Sequence, residues 1–256
     1  MKTKLLTAIT ALLLALPASS IAQGDLQLVK SSGVIRVGTE GTYSPFTYHD
    51  AKGALTGFDV EIAREIGKRL GVKVEFVEGK WDGLIAGLDV KRYDAVINEV
   101  TISDARKAKY DFSEPYIVSK AALIVKSDNN SITSFAGLKG KKSSQSATSN
   151  FAKLAQDNGA VIVTSDGFNQ SIELLLAGRA DATINDNLSF LDFKTHRPDA
   201  KVKIAALQDN AEKQAVLVRK GSPDFVAAIN KALADIHADG TFLQISKKYF
   251  GEDVSK

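Results

Sequence analysis

Apolar positions along this chain recur with two alternating periods. Val34-Ile35-Arg36-Val37-Gly38 is a short apolar run closed by glycine, as a strand would be. From Asp59 to Leu70 the spacing turns helical: Ile62, Ala63, Ile66 and Leu70 share one face, and Gly71 stops it. Val72 to Val77 alternates as a strand, Trp81 to Leu88 is helical, and Tyr93 to Asn98 is a strand again. This β-α-β-α-β order predicts a mostly parallel sheet with helices on its faces.

A second unit begins near Ala121. Ala121–Val125, Lys141–Ser144, Val161–Val163, Asp181–Asn185 and Val202–Ala206 read as strands. Ser134–Leu138, Ser149–Gln156, Phe168–Ala177 and Leu188–Lys194 read as helices, and Gly178 stands where a cap glycine belongs. Gln214–Val218 is a strand returning to the first unit. Ser222-Pro223-Asp224 then starts a helix reaching about Ala238; Gly240 ends it, and Phe242–Phe250 forms the last one. Two α/β units with short connections imply a cleft, and ligands bind at the carboxyl ends of strands in such clefts.

The N-terminus sets the compartment. Met1-Lys2-Thr3-Lys4 is basic, Leu5–Leu16 is uncharged and apolar, and Pro17-Ala18-Ser19-Ser20-Ile21-Ala22 supplies small residues at peptidase positions. This is the pattern of a secretory signal spanning residues 1–22. The apolar run of about 12 residues is short of the ~20 that span a bilayer. Its removal takes Lys2 and Lys4 and no acid, lowering the formal charge from +3 to +1. Near-neutral balance argues against nucleic acid or a membrane surface as partner. There is no cysteine, which excludes disulfides, thiol nucleophiles, thiolate metal sites and a lipid-modified cysteine. A free periplasmic protein, not inserted in the membrane, is expected.

One segment suggests chemistry. In Val96-Ile97-Asn98-Glu99-Val100-Thr101-Ile102-Ser103-Asp104-Ala105-Arg106 an apolar strand ends, small polar residues follow, and an arginine arrives one helical turn later. That order places a hydroxyl, backbone N–H groups and a guanidinium fork around one point, which suits a carboxylate.

The chain resembles the family 3 extracellular solute-binding proteins, the periplasmic receptors of polar amino-acid ABC transporters. The resemblance is carried by Val37-Gly38-Thr39-Glu40-Gly41-Thr42-Tyr43-Ser44-Pro45-Phe46, Leu55-Thr56-Gly57-Phe58-Asp59, Trp81-Asp82-Gly83-Leu84, the Asp94–Arg106 run and Tyr110-Asp111-Phe112-Ser113-Glu114-Pro115-Tyr116. Gly178-Arg179-Ala180-Asp181-Ala182 and the closing Asp239-Gly240-Thr241 with Lys248-Tyr249-Phe250-Gly251 complete it. Within the family the chain is most similar to the L-cystine-binding proteins, through Glu78–Leu84, Lys91-Arg92-Tyr93-Asp94 and Val96-Ile97-Asn98.

The resemblance implies a two-lobe, type II periplasmic-binding-protein fold with mixed or parallel sheets, working as a monomer without cofactor or metal. Lobe one would hold residues 24–117 and 215–256, lobe two 122–208, with hinge crossings near 118–121 and 209–214. Ligand would close the lobes, and the membrane permease of an ABC transporter would read the closed shape. Arg106 would clamp the ligand carboxylate, with Thr101 and Thr148 donating beside it. Here Ser146-Ala147-Thr148 lacks the middle hydroxyl of the commoner family pattern. Asp186 would take the ammonium or cap the following helix. Tyr43 and Trp81 match the family's aromatic walls. Glu40 and Glu99 would suit a ligand with a second positive group, as in cystine or a cationic amino acid; pairing of Glu99 with Arg106 in the empty site is the alternative. Asn98, Gln145 and Asn169 are further polar candidates. Histidine, glutamine, arginine and lysine remain open as ligands. A dehydratase on this fold and a ligand-sensing module are the competing functions, and His49, His196 and His237 fall in no nucleophile or metal motif.

Overall fold

The computed structural model describes residues 24–256; the expected signal segment lies outside them. A short helix, α1 (Asp25–Ser32), precedes β1 (Val34–Thr39), and three small strands follow: β2 (Thr42–Tyr43), β3 (Thr47–His49) and β4 (Leu55–Thr56). Next come α2 (Phe58–Leu70), β5 (Lys73–Glu78), α3 (Trp81–Leu84), β6 (Ala95–Val96), α4 (Asp104–Lys107) and β7 (Tyr110–Ser119). The chain continues through β8 (Ala121–Lys126), β9 (Lys142–Gln145), α5 (Asn150–Asp157), β10 (Val161–Thr164) and α6 (Phe168–Leu176). Then follow β11 (Ala182–Asp186), α7 (Asn187–His196), β12 (Val202–Leu207), β13 (Glu212–Arg219), α8 (Pro223–Ala238) and α9 (Thr241–Phe250).

Two five-stranded sheets result. The first has the order β5-β1-β6-β13-β7, the second β10-β9-β11-β8-β12. β1 runs parallel to β5 and β6, whereas β13 runs antiparallel to β6 and β7, so the sheet is mixed rather than mostly parallel. The chain leaves the first sheet at Ser119, enters the second at Ala121, and returns between Leu207 and Glu212.

The elements form for the reasons their sequences suggest. In α2 the stripe Ile62, Ala63, Ile66 and Leu70 is buried, and Gly71 closes the helix in the left-handed conformation at φ 70°. Asp59 lies on that same stripe and is fully buried. The helix expected over Trp81–Leu88 is one α turn followed by a 3₁₀ turn at Ile85–Leu88. The strand expected over Tyr93–Asn98 keeps only Ala95–Val96 in its ladder, because the backbone beyond turns away at Glu99, where φ is 52°.

Tyr93 fixes the end of β1. Its ring lies against Gly38, where an added Cβ would come within 2.7 Å of the ring carbons, and its hydroxyl donates to the Leu84 carbonyl. Any side chain at Gly38 must push the ring or the strand. Gly38→Ala should therefore cost about 1–3 kcal/mol in denaturant unfolding; a change below about 0.5 kcal/mol, the usual surface value, would show that the ring moves freely.

Candidate functional site

The strand ends converge on one cavity between the two sheets. Glu40 follows β1, Asn98 and Glu99 follow β6, Ser146 follows β9, and Asp186 ends β11. All four strands present their carboxyl ends, the edge at which α/β sheets bind ligands. The cavity is tight in this arrangement, with about 40 Å³ open to the centre of a water-sized sphere. Glu40, Tyr43, Trp81 and Glu99 line it from one side, Ser146, Ser149, Phe168 and Asn185 from the other.

Trp81 and Tyr43 act as walls. The Tyr43 hydroxyl donates to Asn185 Oδ1 at 2.9 Å, across the cleft. The Trp81 indole N–H is buried without a partner among the described residues, an orphan donor at the cavity wall. Arg106 stacks over the Trp81 ring at 5.3 Å and donates Nη1 to the Thr101 carbonyl at 2.7 Å. Among the described residues its guanidinium makes no ion pair, so most of its donors are uncommitted. Burial lowers its pKa, against the pull of Glu99 and Glu212. The helix start expected there is the single turn α4, capped by Ser103 Oγ accepting from the Arg106 N–H at 3.3 Å. One turn carries little macrodipole, so the guanidinium is the main attraction for an anion.

Thr101 is buried, and its hydroxyl donates to Glu212 Oε2 at 3.1 Å. Thr148 does not line the cavity. Its N–H and hydroxyl both donate to Asp82 Oδ1 at 2.9 Å, and the Ala147 N–H reaches Asp82 Oδ2 at 3.3 Å. The neighbouring Ser149 takes the cavity wall and caps α5, accepting from the Ala152 N–H at 2.9 Å. Asn98 sits behind Glu40: it accepts the Glu40 N–H and donates to Glu40 Oε2, both at 2.7 Å. Burial still raises the Glu40 carboxyl to about 7, with Asp82 adding to the rise. Gln145 lines the cavity, while Asn169 is exposed.

The acids at the cavity floor form a network. Asp186 is 1 % exposed; its Oδ1 caps α7, accepting from the Leu188 N–H at 2.8 Å, and its Oδ2 accepts from Ser119 Oγ. Ser119 Oγ also lies 3.4 Å from Glu99 Oε1 and accepts from Gln214 Nε2 at 2.9 Å. Glu99 is 4 % exposed and has a left-handed backbone at φ 52°, a conformation that costs about 1–3 kcal/mol. Behind it Asp59 accepts from the Tyr116 hydroxyl at 2.9 Å. Burial, then the neighbouring Asp186 and Asp59, push the Glu99 carboxyl well above the usual range, and burial raises Asp59 to about 7. Ser119, Gln214, Asp59, Ser149 and Asn185 are not among the ligand-binding residues expected from the sequence. Only Asp59 left a signal, an acid on an otherwise apolar helix stripe.

Residues 35–252 match the model of bacterial extracellular solute-binding proteins, family 3. The chain belongs to that family. The L-cystine-binding protein TcyA of Bacillus subtilis is 48% identical over 235 residues, covering 91% of this chain and 87% of TcyA. An ancestral arginine-binding protein bound to arginine superposes with a TM-score of 0.81 at 40% identity, over 86% of this chain and 99% of its own. The L-cystine solute receptor of Neisseria gonorrhoeae, unliganded and open, gives 0.60 at 44% identity, over 90% and 99%. The two-lobed type II architecture expected above is the fold these receptors share. Among the described residues no helix is long and apolar enough to cross a membrane.

Several bonds of this solute-binding protein cross between the lobes: the Asp82 set, Lys80 to Asp166 at 2.6 Å, and Ser44 Oγ to Asp192 at 2.8 Å. Asp82 holds the largest share, on an exposed carboxylate worth about 1 kcal/mol in all. Asp82→Ala should raise the open-to-closed ratio of the empty protein about fivefold, seen as a larger radius of gyration in small-angle X-ray scattering. An unchanged profile would mean that these bonds do not hold the lobes.

Proposed function

We propose that the protein is the extracytoplasmic receptor of an amino-acid ABC importer and that its ligand is L-cystine. The observation that carries this reading is the charge layout around the cavity: an uncommitted guanidinium at Arg106, which stacks on the Trp81 wall without itself lining the cavity, and the Glu99 carboxyl in the lining, joined to Asp186 through Ser119. An α-amino acid carries both complementary charges on one carbon. Its carboxylate fits the Arg106 fork bidentately, and its ammonium turns toward the acids. Cystine has a second ammonium, for which Glu40 stands on the same wall. The cystine-binding name of the TcyA relative supports the choice.

Lobe one is taken as residues 24–117 and 215–256, lobe two as 122–208, moving about crossings at 118–121 and 209–214. The better superposition on a ligand-bound relative than on an open, more identical one supports a closed arrangement here. The ligand favours closure through contacts made only when the lobes meet. The permease then takes the closed receptor as its partner. The binding-protein names of the relatives support binding rather than catalysis. The protein is released into the periplasm and acts there as a monomer. A second reading, a cationic amino acid such as arginine, is favoured by the two carboxyls of the cavity and by the arginine-bound structural relative.

Trp81 is the single tryptophan, so its fluorescence reports the site. Refolded, ligand-free protein should respond saturably to cystine at micromolar concentration. Arg106→Ala should weaken binding at least about a hundredfold, the loss of two charge-assisted hydrogen bonds, with the fold intact by circular dichroism. A response to arginine alone would move the ligand to the second reading. Near-native affinity in Arg106→Ala would defeat the clamp.

A further inference from the structure

The near-neutral balance of the whole chain hides an uneven distribution of charge. In the second sheet β8 runs antiparallel to its neighbours β11 and β12, and β9 runs parallel to β11. The starts of β9, β11 and β12 and the end of β8 therefore share one edge, opposite the strand ends that reach the cavity. Lys141 and Lys142 stand there at β9, Arg179 ahead of β11, Lys126 at the end of β8, and Lys201 and Lys203 at β12. Neighbouring strands lie about 4.8 Å apart, so the row is about 15 Å long. Two more cations flank it: Lys139 lies against Gly159, and Lys194 donates to the Pro198 and Ala200 carbonyls at 2.8 and 2.9 Å.

Local pairing does not use up these cations. Among the described residues none of the eight makes a salt bridge, whereas Arg36, Arg219 and Lys220 at the corresponding end of the first sheet pair with Asp94, Asp25 and Asp111. Three acids stand at the basic edge, Asp128, Asp181 and Asp199, and Asp181 accepts the Lys142 N–H at 2.8 Å. Eight cations against three acids leave an excess of five. The helices α5, α6 and α7 also end on this side, and their C-termini offset about 1.5 charges, roughly half a charge each. More than about three positive charges remain. An acidic protein partner would be gripped through apolar anchors as well. Of the large apolar side chains exposed among the described residues, only Val161, beside Lys142, stands at this edge. A row of cations with so little apolar relief fits a plane of phosphate groups.

We propose that this basic edge of the second sheet is a docking surface for anionic phospholipid headgroups, which hold the protein reversibly at a membrane face. Lysine and arginine side chains near an anionic leaflet are attracted by its surface potential, each adding to the partition, and salt screens the attraction. No apolar segment enters the bilayer, so the contact is peripheral. Lys139, Lys141, Lys142, Arg179 and Lys201 are exposed and free to reach a flat surface together. The cavity lies at the other end of the same strands, where Gln145 of β9 and Asn185 of β11 line it. Adsorption through the basic edge therefore leaves the cleft uncovered. A receptor held in this way searches for its permease within a layer at the membrane rather than through the whole compartment. The proposal does not rest on which ligand the cavity takes.

Cosedimentation with vesicles reads the contact directly. At about 0.05 M salt, where screening reaches about 14 Å, the protein should pellet with phosphatidylcholine vesicles that contain phosphatidylglycerol and stay in solution with phosphatidylcholine alone. Salt at about 0.5 M should release it. The triple variant Lys141→Glu, Lys142→Glu, Lys201→Glu should lower the partition coefficient at least about a hundredfold, with unchanged circular dichroism. The variant Lys52→Glu, Lys73→Glu, Lys247→Glu changes the net charge equally, at exposed positions away from the row, and should stay within about threefold of wild type. If the first triple variant does not fold, Lys141→Glu and Lys201→Glu singly should each lower the coefficient about fivefold. Pelleting with neutral vesicles, persistence at high salt, equal loss in both triple variants, or no pelleting at all would overturn the proposal. None of these outcomes bears on the receptor reading, which Trp81 fluorescence tests separately.

Discussion

Opposite charges are kept apart across an empty space, and the cleft is organised by that separation. Arg106 lies against Trp81 with most of its donors uncommitted, while Glu99 lines the cavity and Asp186 and Asp59 are buried away from it with hydroxyls and backbone N–H groups as their partners. Burying a charge without a partner is expensive, so such groups shift their protonation or wait for a partner. The acids do the first and the guanidinium does the second. A zwitterion of the right length completes both halves at once. That is why the reading favours a molecule with both charges on one carbon over a simple anion or cation.

The fold delivers these groups through strand ends rather than through any one loop. β1 and β6 carry Glu40 and Glu99 from the first sheet, and β9 and β11 carry Ser146 and Asp186 from the second. Ser119 ends the outgoing crossing and Gln214 lies near the start of the returning strand, and the two are hydrogen-bonded at 2.9 Å. The acid pair thus hangs on both crossings. The small sheet β2-β3-β4 holds Tyr43 at the cleft, where its hydroxyl meets Asn185 of the opposite lobe.

Much of this was legible in the sequence. The apolar stripe of α2 and most strands of the two five-stranded sheets follow from periodicity and from the turn residues between them. Trp81, Tyr43, Glu40 and Glu99 line the cavity, the last two because they follow strand ends, and Arg106 stacks on Trp81. What escaped has physical causes. Strands of two or three residues, such as β2 and β3, carry no period, and β7 is long but its Asp111, Glu114 and Pro115 mask it. Serine and threonine fill Ser146 to Ser149 almost continuously, and composition cannot say which hydroxyl turns inward; Ser149 does, one place after Thr148. Pairing of Glu99 with Arg106 was a fair alternative from spacing, but no ion pair joins them among the described residues, and the left-handed backbone at Glu99 is not visible in the spacing. Ser119 and Gln214 meet only through the antiparallel pairing of β7 with β13, which joins positions far apart in the chain.

The measurement that bears most directly on this arrangement is the distance between the lobes in solution. The chain has no cysteine, so spin labels can be placed at two exposed positions, Lys68→Cys on α2 and Gln156→Cys on α5, without background. Double electron–electron resonance on the refolded, ligand-free protein should show a broad distribution that includes longer, open distances. Saturating L-cystine should collapse it to the single short distance of the closed structure. The same distribution with and without ligand, in a protein whose Trp81 fluorescence shows that ligand is bound, would contradict closure around the cavity.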